Sequence, residues 1–97
     1  MITGFNTDVS YDGTTYHVQT EDKGDANPII LSLVYVRGAI LAAKRTSYAK
    51  ELQSGLTEQQ LQSMLEKQHR TILAVIKAGR IQELVEKLSK QKSSDED

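Results

Sequence analysis

The stretch "FNTDVSYDGTTYHVQTED", residues 5–22, contains the two side chains of this sequence best suited to chemistry, Asp8 and His17. A carboxylate placed opposite an imidazole can hold it as a general base. Nucleophilic catalysis needs more, namely a nucleophile against that base and donors for an oxyanion. Ser10 and Thr15 fall on the same side of the stretch, yet no nucleophile elbow or glycine-rich helix start accompanies them. A cross-strand pair of opposite charge on a solvated face explains Asp8 and His17 equally well. The expectation is that the chain is not an enzyme.

Other reactive groupings are sparse. Glu21, Asp22, Asp25 and Asn27 offer oxygens to a calcium ion, but not at the spacing an EF-hand loop requires. There is no cysteine, and His69 has no second His at ligand spacing, so no metal site is expected. Neither a P-loop nor a Rossmann glycine pattern occurs, and no cofactor is expected. The basic residues Lys44, Arg45, Lys50, Lys67, Arg70, Lys77 and Arg80 raise the question of nucleic acid. Charge is segregated along the chain. Residues 1–36 carry five acidic side chains against Lys23, a net −4, and residues 37–92 carry eleven Lys and Arg against five Glu, a net +6. Asp95, Glu96 and Asp97 then add −3. Glu58, Glu66, Glu83 and Glu86 interrupt the basic half, and stacking aromatics are scarce there, so nucleic-acid binding is the runner-up reading.

The elements that position these residues can be read from periodicity. Phe5, Thr7, Val9 and Tyr11 alternate with polar residues, and so do Tyr16, Val18 and Thr20, as in two half-buried strands. Asp12-Gly13 between them is the dipeptide that a type I′ turn favours. A two-residue loop there pairs Tyr11 with Thr14, Val9 with Tyr16, Thr7 with Val18 and Phe5 with Thr20. The same register sets Asp8 opposite His17 and Asn6 opposite Gln19. A polar face of Asn6, Asp8, His17, Gln19 and Glu21 results, a candidate recognition surface.

After the turn-rich "DKGDANP", "IILSLVYV" is apolar on both faces, the pattern of a strand covered on both sides. Arg37-Gly38 reads as a turn into a fourth strand, followed by a short helical turn over about Ser47–Ser54. Thr57 and Gln60 spell a capping box, and Leu56 and Leu61 a hydrophobic staple, so a helix begins at Glu58. Its stripe runs through Leu61, Met64, Leu65, Gln68, Ile72, Val75 and Ile76 to a stop at Gly79. At about 100° per residue His69 falls about 60° from the stripe's centre, a boundary position, whereas Gln68 lies near its middle. Ile81, Leu84, Val85 and Leu88 mark a second, shorter helix.

The fold class expected is α+β: a four-stranded antiparallel sheet of two hairpins, followed by a long and a short C-terminal helix on one face. Residues 1–90 form a single domain and 91–97 a disordered acidic tail. One helix layer leaves one sheet face bare. Ile30, Val34 and Val36 are expected there, as an interaction surface. Gln68 is expected at a helical interface, and Leu84, Val85 and Leu88 on a docking helix. Self-association and a protein partner follow from that bare face. The start of the chain lacks a basic and apolar leader pattern, and no apolar run approaches the roughly 18 residues of a membrane span. A cytoplasmic location is expected.

The phrases "FNTDVSYDGTTYHVQTED", "NPIILSLVYVRGAIL" and "TSYAKEL…EKQH" resemble a family of small bacterial proteins with no assigned activity. Its members open on a Phe-Asn-Thr-Asp strand, continue with Tyr-His-Val-Gln-Thr-Glu-Asp and close in a charged helix. The likeness covers about residues 4–77. It implies a bacterial cytosolic protein and brings no catalytic or ligand-binding residues with it.

Overall fold

In the computed structural model, which describes residues 4–85, four strands precede two helices. They are β1 (Gly4–Tyr11), β2 (Thr14–Asp22), β3 (Ile29–Val36), β4 (Ala39–Ser47), α1 (Ala49–Gln53) and α2 (Glu58–Lys77). Residues 81–85 are helical as well. The strands form one antiparallel sheet in the order β1-β2-β3-β4, the expected α+β arrangement.

Local chemistry accounts for the joints. Asp12 and Gly13 both take positive φ, 50° and 79°, as a type I′ turn demands. That turn fixes the first hairpin in the expected register, Asp8 against His17 and Thr7 against Val18 included. Arg37 and Gly38, at φ 54° and 80°, repeat the device between β3 and β4. At the head of α2, Thr57 Oγ1 accepts from the Gln60 amide at 3.1 Å, and Gln60 Oε1 accepts from the Thr57 amide at 2.9 Å. Both halves of the capping box are present. At its tail Arg80 N–H reaches Val75 C=O and Gly79 N–H reaches Ile76 C=O, each at 2.9 Å, a Schellman closure. Gly79 has φ +73°, and a Cβ there would lie 2.5 Å from the Tyr11 hydroxyl. Both backbone and space therefore select glycine.

α2 lies across β1 and β2 and reaches β3. The core beneath it falls into two clusters. Val18, Val34, Ala42, Ile72, Ile76 and Leu84 form one, and Ile30, Tyr48 and Leu65 the other. Leu56 and Leu61, the staple residues, both contribute to the second. Two expectations are corrected here. Ile30 and Val34 are each 1% exposed and lie under the helix layer, not on the bare face. Val36 is partly buried and belongs to neither cluster. Leu84 and Val85 dock onto the first cluster of their own chain, and Leu88 lies outside the described residues, as does the segment 91–97. Among the described residues no helix is long and apolar enough to cross a membrane.

Candidate functional site

The covered face of the sheet carries an unusual load of polar groups. Between the two apolar clusters a hydrogen-bonded chain crosses all four strands. Thr46 Oγ1 donates to Gln68 Oε1 at 2.5 Å, and Gln68 Nε2 donates to Ser32 Oγ at 2.9 Å and to the Lys44 carbonyl at 3.3 Å. Ser32 and Thr20 hydroxyls are 2.6 Å apart. The His69 ring bridges Thr20 at Nδ1 and Thr7 at Nε2, each 2.8 Å away. Ser32 Oγ accepts from Gln68 and shares a hydrogen bond with the Thr20 hydroxyl, which in turn bonds His69 Nδ1. A neutral imidazole donates at one nitrogen and accepts at the other, so the ring joins the Thr7 and Thr20 hydroxyls into one chain. Burial holds the His69 pKa below its ordinary 6.5, consistent with that neutral form. Among the described residues no buried side-chain polar atom lacks a partner.

His69 is therefore a core residue, 4% exposed and tilted against Phe5 at 5.6 Å, not the boundary residue its helical angle predicts. Gln68 is buried as expected, but its amide faces the sheet and is fully engaged within the chain, not at a helical interface. Tyr48 shows the same economy. It is wholly buried, and its hydroxyl donates to Asp22 Oδ1 at 2.5 Å. Burial first, and the Asp22 carboxylate second, push its pKa upward. Asp22 also accepts from the Gly24 amide at 2.9 Å, so this acid of the "EDKGDAN" loop is part of the framework.

Among the described residues the opposite face is open. Strand register sorts its residues into three rows. Glu21 pairs with Leu31, and Leu31 with Arg45; Gln19 pairs with Leu33, and Leu33 with Ala43. In the third row Asp8 pairs with His17, His17 with Tyr35, and Tyr35 with Ile40. The middle of this face is apolar. Ile29, Leu31, Leu33 and Tyr35 are only partly buried and pack against neither core cluster. Ile40 is 57% exposed, the most exposed large apolar side chain among the described residues. The polar face of β1 and β2 and the bare apolar face of β3 are thus one surface.

Its upper end holds the one constellation with catalytic residue types. His17 Nδ1 and Asp8 Oδ1 are 2.5 Å apart, with the His17 ring 6.1 Å from that of Tyr35. These residues, with Thr15 and Arg37, border a depression of about 490 Å³ between the two hairpin tips. Both members of the pair are well exposed, at 48% and 66%. Ser10 Oγ and Thr15 Oγ1 bond to each other at 3.1 Å and not to the imidazole. A held imidazole is present, and a poised nucleophile is not. Among the described residues no group of three or more His, Asp and Glu is arranged to hold a metal.

The basic residues do not gather. Arg45 lies on the open face, whereas Lys67 and Arg70 border a depression on the outer side of α2, across the sheet from it. Arg70 is ion-paired with Glu66, and Arg80 with Glu83 through two bonds of 2.6 and 2.9 Å. Comparison with known proteins adds no name to this geometry: no family model, curated protein or solved structure matches the chain.

Proposed function

We propose that this chain is a non-enzymatic protein–protein interaction or assembly module of a bacterial cytosolic system, acting as a homodimer through the open face of its sheet. One observation carries the reading: Leu31, Leu33, Tyr35 and Ile40 line the open side of the sheet, and none of the described elements packs over them. A contiguous apolar strip rimmed by polar groups is the composition of a protein contact, apolar at its centre and hydrophilic at its edge. The rim is Asp8, His17, Gln19 and Glu21 on one side and Arg45 on the other. The scattered and partly paired basic residues favour this reading over nucleic acid, which needs a continuous basic track.

Light scattering across a concentration series tests it. The expected mass is that of a dimer, with Leu33→Glu giving a folded monomer. A dimer that Leu33→Glu leaves intact removes the face from the account. Binding of single-stranded DNA or RNA at low salt that weakens steeply as salt rises would favour the basic residues instead.

A further inference from the structure

We propose that the second copy sits face to face about a two-fold axis running along β3, with Glu21 of each protomer against Arg45 of the partner subunit. This rests on the reading of the open face just given and specifies its geometry. At the Leu31 level of that face the charge is arranged antisymmetrically about β3. In one row Glu21 lies on the β2 side, Leu31 in the centre and Arg45 on the β4 side. Rotation about an axis parallel to β3 exchanges left and right while each row keeps its height. It therefore sets Glu21 over the partner's Arg45 and Arg45 over the partner's Glu21, so each ion pair occurs twice, as an isologous interface requires. Leu31, Leu33 and Tyr35 stack on their own copies between the two pairs. Ile40 covers the partner's His17, whose Nδ1 is already engaged by Asp8.

The alternative in-plane axis, across the strands, inverts the rows. Arg45 would then meet the partner's Ile40, desolvating a guanidinium against an apolar side chain with nothing to pair it. Arg45 has no ion-pair partner among the described residues, whereas Glu21 holds only Lys23, at 3.0 Å on an exposed rim. Packed sheets lie about 10 Å apart and cross at about 30°, a gap that opposed Glu and Arg side chains span. The flat footprint of four strands of eight or nine residues is on the order of 500 Å² per protomer. That is at the small end of specific interfaces, so the dimer is weak and its charge pairs govern it.

Sedimentation equilibrium on the full chain, with Glu21→Arg, Arg45→Glu, the double variant and Leu33→Glu, tests the arrangement. Glu21 and Arg45 lie outside both core clusters, and circular dichroism confirms folding of each variant. Each single reversal is expected to raise the dimer dissociation constant by about tenfold or more. The double variant returns it toward the original value. The sharpest outcome comes from mixing the two single variants. A mixed dimer sets the new cation against the new anion at one pair and leaves an original pair at the other, so the two proteins associate with each other and not with themselves. A dimer insensitive to both reversals but dissociated by Leu33→Glu overturns the axis and leaves the reading of the face standing. A dimer insensitive to all three substitutions overturns both. A strict monomer at about 0.5 mM also overturns both, since even a weak specific pair is populated there.

Discussion

The two faces of the sheet invert the usual distribution. The side under α2 carries four hydrogen-bonded hydroxyls, two of them buried, with a buried amide and a buried imidazole, while the side facing water carries two leucines and a tyrosine along its middle and an isoleucine beside them. A buried polar chain adds little net stability compared with apolar packing, because its members exchange one set of hydrogen bonds for another. It adds specificity. α2 can satisfy Thr7, Thr20, Ser32 and Thr46 together only where Gln68 and His69 sit at their present heights, so the chain fixes the helix on the sheet. Among the described residues the open face has no such fixing element.

The comparison can be broken by the same kind of truncation on each side. Ile72→Ala, in the first cluster under α2, should cost about 3 kcal/mol in denaturant unfolding, the scale of a core cavity. Thr20→Val keeps the shape but removes the hydroxyl that bonds both His69 Nδ1 and Ser32 Oγ, and a loss of about 2 kcal/mol is expected. Leu33→Ala, on the open face, should cost about 1 kcal/mol or less at low protein concentration. Losses of equal size at Ile72 and Leu33 would mean the two faces are packed alike. Asp8→Asn removes an exposed pair and should change stability by no more than about 0.5 kcal/mol.

Acid sharpens the contrast further. The His69 pKa is lowered in the folded chain, so as pH falls below 6.5 the unfolded chain takes up a proton that the folded one resists. Stability present at neutral pH is therefore lost progressively on acidification. His69→Gln should remove that part of the slope below pH 6.5, measured by urea unfolding at each pH. A slope unchanged by the substitution would place the proton uptake elsewhere.

What could be read from sequence was local. The Asp12-Gly13 turn, the hairpin register, the Thr57–Gln60 box and the stop at Gly79 each depend on neighbours within a few residues, and each is present. The orientation of β3 was not legible. Both of its faces are apolar, so alternation alone cannot say which one meets the helix. The pairing of β2 with β3 decides it, and that depends on the path of the loop between them. Ser32 was a usable signal. It shares the side of Ile30 and Val34 with the hydroxyls Thr7, Thr20 and Thr46, and a row of hydroxyls opposite Gln68 makes a consistent buried set. His69 was misplaced because a helix lying on a broad sheet buries a wider arc than its apolar stripe alone marks. Imidazole and amide share that arc.

The register break in β4 has a consequence for how the chain avoids open-ended growth. Val34 pairs with Ala42 and Tyr35 with Ile40, which leaves Leu41 as an inserted residue in an outer strand. An outer strand offers unpaired N–H and C=O groups to any passing chain, and a bulge that twists it, with Lys44 and Arg45 just beyond, blunts that template. Strand-by-strand addition would extend without limit, whereas a face-to-face pair closes on itself. Deleting Leu41 should straighten this edge and raise the tendency to aggregate, measured by light scattering over time.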